Sequence, residues 1–156
     1  MGAMMESLQD RYAPTNVCFG CGPANPDGLQ IKSHPDGDDV VTRWQPETRY
    51  EAAPNILNGG IIGTLFDCHS NWTGLWHLMQ VQGLDQAPAT VTGEYHVKFR
   101  RPTPTDESIE LRGRAVDIQA DRVTVESELI AEGKICATFR GTFIVVKPGH
   151  PAYQRW

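Results

Sequence analysis

Residues 58–79 read NGGIIGTLFDCHSNWTGLWHLM and have the pattern of one long helix. Asn58 is a good N-cap residue, and two glycines follow it directly. At about 100° per residue, one face of this helix combines small residues with a carboxylate: Gly60, Gly63, Thr64, Asp67, Asn71 and Gly74. Bulky side chains crowd the other side: Ile61, Ile62, Leu65, Phe66, His69, Trp72 and Trp76. We therefore predict a helix over residues 59–79.

The chain on both sides of this helix has the pattern of strands. Apolar and polar residues alternate after the helix, which predicts strands at residues 91–101, 109–115, 123–129 and 135–146. Their hairpin spacing indicates an antiparallel meander. Before the helix, a turn at residues 35–38 separates predicted strands at residues 29–33 and 40–44.

One helix inserted before such a meander predicts an α+β fold, in which an antiparallel sheet wraps around one long central helix. The 156 residues suffice for one domain with an ordinary core. We place this domain at residues 16–147, between an N-terminal tail at residues 1–15 and a C-terminal tail at residues 148–156. Residues 1–4, MGAM, are interpreted as a vector scar.

Composition argues against nucleic-acid and membrane partners. The formal net charge is −5 and the pI is near 5.5, without a cluster of lysines and arginines, so no nucleic-acid surface is expected. No apolar run approaches the roughly 18 residues that span a bilayer. No secretory signal is visible in the first ten residues. We therefore expect no membrane partner and a cytoplasmic location.

Two of the four cysteines, Cys18 and Cys21, form a C-x-x-C motif. A structural zinc site usually combines such a pair with a second pair or with two histidines, and neither is visible. A thioredoxin-like site needs a βαβ context, which is also missing. We interpret the motif as a Gly/Cys-rich turn and predict neither a metal nor a cofactor. A zinc or redox module stays the alternative, which metal analysis would test.

Two features of the predicted helix have the chemistry of a catalytic site. Gly59 and Gly60 follow the cap Asn58, and backbone N–H groups at a helix N-terminus can polarise a carbonyl oxygen. Asp67 is a carboxylate with apolar neighbours on the same helix. Because burial of an unpaired carboxylate is costly, such a group is paired, hydrated or functional. We take both features as candidate catalytic residues.

The spacing of Gly60 and Asp67 predicts an oligomer. They share a helix face but lie seven residues apart, roughly 10 Å along the axis. A reacting carbonyl must sit about 3 Å from both its hydrogen-bond donor and its base or nucleophile. Two antiparallel helices packed about a two-fold axis bring Gly60 of one chain near Asp67 of the other. We therefore expect a homodimer, or a dimer of dimers, with two equivalent sites at its interface.

Several segments together resemble the PaaI-like hotdog thioesterases. The motif Asn58-Gly59-Gly60-(six residues)-Asp67 is similar to the family signature His-Gly-Gly-(six residues)-Asp. Residues 92–102, TGEYHVKFRRP, are similar to the family's next strand, which commonly ends in Arg-Pro. Residues 18–29, CFGCGPANPDGL, resemble an N-terminal signature of one branch, and residues 137–145, ATFRGTFIV, also fit. The resemblance covers residues 16–147 and implies a hotdog fold.

The resemblance implies that the protein is an acyl-CoA thioesterase. Gly60 N–H would polarise the thioester carbonyl, and Asp67 would act as a base for water or as a nucleophile through an anhydride. Thr92 stands where the family often has a Thr or Ser that positions the water or the carboxylate. Substrate contacts are expected from Gly59, Thr64, Asn71, His69, Arg100 and Arg101, with the two arginines meeting the CoA phosphates.

One position departs from the family pattern. Asn58 stands where the family usually has His. Asn caps a helix at least as well, but if the imidazole carries protons, activity is lower or the substrate is different. This departure keeps a second function open, a non-catalytic acyl- or acyl-CoA-binding protein on the same scaffold.

His69 has a structural interpretation beside the functional one. It lies about 200° around the helix from Asp67, on the bulky face, so we expect mainly a hydrogen-bonded core histidine. A hotdog hydratase typically needs an Asp and a His at one site. The opposite orientation of Asp67 and His69 makes that third function the weakest of the three.

Thr92 and the two arginines also have simpler interpretations. Thr92 shares its strand parity with Glu94, so a bulge at Gly93 is needed to turn it toward the helix. Arg100 and Arg101 stand at the end of the predicted strand, where solvated charged side chains are ordinary. These roles depend on the three-dimensional fold.

Overall fold

The computed structural model describes residues 5–153, so the proposed vector scar at residues 1–4 and the last three residues lie outside the described residues. Within that range the chain forms two α-helices and eight strands. In chain order they are α1 (Leu8–Tyr12), β1 (His34–Asp36), β2 (Asp39–Trp44), β3 (Glu51–Ala53), β4 (Ile56–Leu57), α2 (Gly59–Gln82), β5 (Thr90–Phe99), β6 (Ile109–Ile118), β7 (Arg122–Ala131) and β8 (Lys134–Val145).

Helix α2 is the long helix that the sequence predicts. It begins at Gly59, directly after the cap Asn58, as expected. It ends at Gln82, three residues beyond the predicted end at residue 79. Gly83 follows with a φ of 66°, and its N–H donates to the Met79 carbonyl oxygen. Since glycine adopts this left-handed conformation without strain, Gly83 sets the end of the helix.

The main sheet has six antiparallel strands in the order β1-β2-β6-β7-β8-β5, and α2 packs mostly against β6 and β7. The predicted α+β hotdog architecture, a sheet wrapped around one long helix, is confirmed. One detail of the meander is wrong, because β5 pairs with β8 and not with the next strand, β6. Residues 100–108 carry the chain from the end of β5 across to β6. Strand β5 is therefore an edge of the sheet.

The predicted turn at residues 35–38 is confirmed, with Gly37 at a φ of 63° between β1 and β2. The predicted strand at residues 29–33 is wrong, because β1 begins at His34. In that segment, Leu29 N–H donates to the carbonyl oxygen of Phe19 at 2.8 Å. Residues 29–33 thus pair with an irregular loop, so no regular ladder of strand hydrogen bonds forms.

The core lies between α2 and the sheet. Its largest fully buried apolar side chains are Trp72, Phe66, Phe143, Ile31, Leu65, Leu75, Leu78, Met79, Ile109, Leu111 and Leu129. Helix α1, inside the predicted N-terminal tail, also contacts the domain. Gln9 is fully buried, and its side chain exchanges hydrogen bonds with Ser33 at 2.8 and 2.9 Å. This part of the predicted tail is thus packed against the domain.

Candidate active site

The side chain of Asn58 occupies backbone donors at the N-terminus of α2. Its Oδ1 accepts hydrogen bonds from Gly60 N–H at 2.7 Å and from Ile61 N–H at 3.2 Å. Both N–H groups belong to the first turn of α2, and the N–H groups of a first turn have no hydrogen-bond acceptor within the helix. The sequence leads us to expect a free Gly60 N–H, and the structure differs because the short Asn side chain folds back onto that turn. A substrate oxygen at Gly60 must share this donor with Asn58 or displace it.

Asp67 and Thr92 face each other between α2 and β5. The Thr92 hydroxyl donates a 2.7 Å hydrogen bond to Asp67 Oδ1. This orientation depends on a β-bulge, because the pairing of β5 with β8 shifts between Thr92 and Glu94 and leaves Gly93 as the extra residue. A Cβ on Gly93 would lie 2.9 Å from Ile144 Cδ1 and 3.3 Å from the Thr142 carbonyl oxygen, so a side chain at the bulge would have to displace the Ile144 side chain. Strand parity without the bulge would turn Thr92 away from the helix.

The carboxyl group of Asp67 is half-buried on the third turn of α2. Burial raises its pKa above the usual value, the Thr92 hydrogen bond lowers it, and the charge of Cys18 raises it further, with a net increase. A raised pKa makes the carboxylate a stronger base than an ordinary aspartate. The hydroxyl of Thr92 fixes one oxygen, and the other, Oδ2, accepts no hydrogen bond from any side chain or backbone group within residues 5–153.

Two aromatic rings of β5 flank the N-terminal half of α2. A Cβ on Gly59 would lie 3.6 Å from the Phe99 ring, and a Cβ on Gly63 would lie 3.6 Å from the Tyr95 hydroxyl. Both rings are nonetheless exposed, Tyr95 to 48% and Phe99 to 59%. The first turns of α2 and the edge strand β5 therefore form a shallow, partly apolar surface beside Asp67.

The small residues of α2 divide between two surroundings. Gly74, at the C-terminal end of the small face, is buried against the sheet, where a Cβ would lie 2.6 Å from Val123 Cγ1. It therefore permits close packing of α2 on β7. The small face as a whole is thus not one surface for a second chain, since its C-terminal part belongs to the core of this chain.

The polar side chains of the small face already have partners within the chain. Thr64 Oγ1 donates to the Gly60 carbonyl oxygen one turn earlier at 3.1 Å. Asn71 Oδ1 accepts from the Thr90 hydroxyl at 2.7 Å. Both side chains are partly exposed, one turn on either side of Asp67. Each contact fixes the side chain next to the candidate site.

His69 lies in the core and is fully buried. Nε2 is 3.0 Å from the Val40 carbonyl oxygen, which can only accept, so the proton is on Nε2. Nδ1 is then the acceptor in a hydroxyl network, with Thr42 Oγ1 at 2.7 Å and Ser33 Oγ at 2.9 Å from it and 3.0 Å between the two hydroxyl oxygens. Burial lowers the pKa of His69 to about 4. The imidazole is neutral, and its hydrogen bonds to Thr42 and Val40 connect α2 with β2.

Arg100 and Arg101 lie exposed just after β5, and both backbone N–H groups donate to the Cys136 carbonyl oxygen. Arg100 also lines an open cavity of about 670 Å³ on the outer face of the sheet, together with Lys98 and Arg140. Asp67 does not line this cavity. The two arginines therefore stand at the end of the strand that carries Thr92, and Arg100 faces a cavity that Asp67 does not line.

A third cysteine, Cys68, joins the C-x-x-C motif in space. The Sγ atoms of Cys18, Cys21 and Cys68 all lie within 4.8 Å of one another. Hydrogen bonds among them lower the pKa of Cys18 and raise the pKa values of Cys21 and Cys68. The sequence pattern did not indicate this cluster, because fifty residues separate Cys18 from Cys68.

The antiparallel sheet wrapped around one long central helix defines a hotdog fold. The chain belongs to the thioesterase-like superfamily, since a model of that family matches residues 64–150, more than half of the 156 residues. A search of curated proteins finds no match.

Solved structures share this fold. A thioesterase superfamily protein from Shewanella loihica is 26% identical, with a TM-score of 0.63 over 80% of this chain and 98% of that chain. A thioesterase from Haemophilus influenzae is 17% identical, with a TM-score of 0.66 over 78% and 84% of the two chains. The E. coli PaaI protein of the phenylacetic acid degradation operon is 16% identical, with a TM-score of 0.64 over 76% and 81%.

Proposed function

We propose that the protein is an acyl-CoA thioesterase, with Asp67 as the base or nucleophile and Gly60 N–H as the donor to the thioester carbonyl. The observation that carries the proposal is the half-buried Asp67 carboxylate, oriented by the 2.7 Å hydrogen bond from Thr92. Its place on the central helix, seven residues after Gly60, is similar to the signature of the PaaI-like thioesterases that the sequence resembles. Asn58, Gly60, Asp67 and Thr92 form the proposed catalytic set.

A second copy of the chain completes the proposed site. Gly60 and Asp67 lie roughly 10 Å apart along α2, too far for one carbonyl group to contact both. The exposed edge strand β5 presents unpaired backbone groups, and its rings Tyr95 and Phe99 are 48% and 59% exposed. Such an edge favours pairing with another strand. In a two-fold dimer, each carbonyl is held by Gly60 of one chain and attacked at Asp67 of the other.

Asp67 supports hydrolysis by either of two routes. As a base, its carboxylate takes a proton from water while the hydroxide oxygen bonds to the thioester carbon. As a nucleophile, its oxygen bonds to that carbon and forms an anhydride, which water then opens. In both routes the C–S bond breaks, the sulfur leaves with a proton as the CoA thiol, and the acyl group leaves as a carboxylic acid. Gly60 N–H stabilises the negative charge on the carbonyl oxygen.

The remaining candidates have supporting roles in this proposal. Arg100 and Arg101 bind the CoA phosphates at the end of β5, because exposed guanidinium groups donate hydrogen bonds to phosphate oxygens. Gly59 leaves room for the acyl thioester beside the Phe99 ring. Thr64 and Asn71 contact the substrate next to Asp67. His69 acts from the core, holding α2 against β2 beneath the substrate.

The protein is proposed to work in the cytoplasm. None of its four cysteines, all of which lie within residues 5–153, forms a disulfide, although the sulfur atoms of three lie close together. Reducing compartments keep thiols unbridged. The structure contains no helix that is long and apolar enough to cross a membrane within residues 5–153.

The second candidate function is a non-catalytic acyl-CoA-binding protein. The observation that favours it is Asn58, which replaces the usual His and occupies Gly60 N–H at 2.7 Å. Binding needs neither a base nor a free oxyanion donor. The retained pair of Asp67 and Thr92 favours the enzyme, because a binding protein has no need of an oriented carboxylate beside the thioester.

Hydrolysis assays separate the two functions. Wild type and Asp67→Asn are incubated with short, medium, long and aryl acyl-CoAs, and released CoA is measured with a thiol reagent after subtraction of the protein's own thiols. We expect turnover by wild type and a loss on the order of 10³-fold in Asp67→Asn, the usual contribution of a base.

Asp106→Asn is the matched control, since Asp106 is an exposed aspartate on the loop before β6 and should keep full activity. Circular dichroism checks that each variant folds. Acyl-CoA binding by wild type in calorimetry, without turnover on any chain length, would replace the enzyme with the binding protein.

A further inference from the structure

Three cysteine sulfurs converge beside the proposed active site. The Sγ atoms of Cys18 and Cys68 are 3.8 Å apart, and all three sulfurs, including Cys21, lie within 4.8 Å of one another. A disulfide requires about 2.05 Å between its sulfurs, so the Cys18–Cys68 contact is not a bond of that kind. In a tetrahedral zinc site with Zn–S bonds of about 2.3 Å, neighbouring sulfurs are about 3.8 Å apart. The cluster therefore has the spacing of metal ligands.

The loop before the first strand is shaped to bring these sulfurs together. Gly20 lies against helix α2, where a Cβ would be 2.3 Å from Cys68 Sγ. Gly22 packs on the backbone of the same loop, where a Cβ would be 2.3 Å from Cys18 N. Asn16 Oδ1 accepts from Cys18 N–H at 2.8 Å, and Gly22 N–H donates to the Cys18 carbonyl oxygen at 2.9 Å. A side chain at position 20 would therefore displace the Cys68 sulfur, and a side chain at position 22 would displace the loop backbone at Cys18.

We propose that Cys18, Cys21 and Cys68 bind one zinc ion, which fastens the N-terminal loop to helix α2 next to Asp67. Thiolate ligands select a soft or borderline cation such as Zn²⁺ over Mg²⁺ or Ca²⁺. Three protein ligands leave a fourth position for a water molecule or another small ligand. Binding is balanced by release of the thiol protons to solvent, and neither an oxidant nor a reductant is needed.

The proposed site adds a metal-binding role to the C-x-x-C motif, which the sequence alone led us to interpret as a turn. A zinc site built from sequence neighbours needs a second pair, and here the third ligand comes from the central helix. The inference is independent of the proposed thioesterase activity, because the ligands are distinct from Asp67, Gly60 and Thr92. A protein that binds zinc and hydrolyses no thioester would leave this site intact.

Metal analysis of the purified full-length protein tests the site. The protein is reduced, loaded with Zn²⁺, passed over a desalting column and analysed by mass spectrometry of elements. We expect about one zinc per chain in wild type and loss of bound zinc in Cys68→Ser. Cys136→Ser is the matched control, since Cys136 is a buried cysteine whose thiol contacts the Lys134 carbonyl oxygen instead of this cluster. It should keep its zinc.

Cobalt substitution gives a second readout that does not depend on the folding of a variant. Co²⁺ bound by thiolates produces charge-transfer absorption in the near ultraviolet, and its intensity reports the number of sulfur ligands. We expect this band in wild type and in Cys136→Ser. Reduced wild-type protein that takes up neither Zn²⁺ nor Co²⁺ would overturn the proposal. The same holds for zinc that is retained equally by folded Cys68→Ser, or for a metal-free Cys18–Cys21 disulfide that reforms after reduction in the presence of zinc.

Discussion

The Thr92 hydroxyl lies 2.7 Å from Asp67 Oδ1 and joins the edge strand of the sheet to the carboxylate on the central helix. The contact exists because the bulge at Gly93 reverses the strand parity that would otherwise turn Thr92 outward. It connects two segments that lie twenty-five residues apart. The orientation and the basicity of Asp67 therefore depend on the geometry of β5.

Thr92→Val tests the effect of this hydrogen bond on Asp67. The Thr92 hydroxyl lowers the pKa of Asp67, so its loss raises that pKa further above the usual value. The fraction of ionised Asp67 at a given pH then falls, and the acid limb of the rate profile moves to higher pH. We expect kcat to fall by roughly tenfold, in line with a hydrogen bond to a charged group.

Thr92→Ser is the control for the same site, because it keeps the hydroxyl and should retain the wild-type acid limb. The measurement is kcat against pH on the best acyl-CoA. An acid limb in Thr92→Val at the wild-type position, or below it, would remove Thr92 from the proposed role.

Asn58→Asp separates helix capping from oxyanion stabilisation. Asp caps a helix as well as Asn, so the free energy of unfolding should change by less than about 0.5 kcal/mol. The new carboxylate holds Gly60 N–H more tightly and repels the negative charge that develops on the thioester oxygen. We expect kcat/KM to fall on the order of 10²-fold, the cost of losing an oxyanion donor. Unchanged kcat/KM would show that the substrate oxygen does not bind near Asn58.

Gly74→Ala and Gly63→Ala test the two surroundings of the small face. Alanine is the better helix former by about 1 kcal/mol, but at position 74 its Cβ would lie 2.6 Å from Val123 Cγ1. We expect Gly74→Ala to lower the free energy of unfolding by about 1–3 kcal/mol, as overpacked core sites do. At position 63 the nearest atom, Tyr95 Oη, is 3.6 Å from the new Cβ, so Gly63→Ala should be neutral or stabilising. Urea denaturation measures the free energy of unfolding of each variant. Equal stability of the two variants would contradict the close packing of Gly74 on Val123.

Local patterns predicted the elements of the fold better than their pairing. Helix α2 and the four long strands follow from periodicity, caps and glycine turns, and their bounds differ from expectation by a few residues. The pairing of β5 with β8 was not visible, because strand order depends on long-range contacts that no local pattern records. The expected strand at residues 29–33 failed for the same reason, since its partner is an irregular loop.

The candidate site shows the same limit. The motif containing Asn58 and Asp67 was recognised from spacing, whereas the engagement of Gly60 N–H by Asn58 depends on one side-chain rotamer. The approach of Cys68 to the C-x-x-C motif depends on how the N-terminal loop folds over α2. Sequence spacing reports neither, because both are contacts made by the finished tertiary structure.

The central claim, that one chain supplies Gly60 and the other supplies Asp67, is tested with mixed dimers. Gly60→Pro removes the proposed donor, while Ile61 N–H still holds the cap Asn58 at 3.2 Å. Asp67→Asn removes the base. Each variant alone should be inactive. The two are co-expressed with different tags, and the mixed species is purified over both.

We expect this mixed dimer to regain about half of the wild-type activity, because one of its two sites combines an intact Gly60 with an intact Asp67. The reciprocal pair, wild type with the Gly60→Pro/Asp67→Asn double variant, should be nearly inactive, since each of its sites carries one change. An inactive first pair together with a half-active reciprocal pair would place both residues of a site in the same chain and contradict the account.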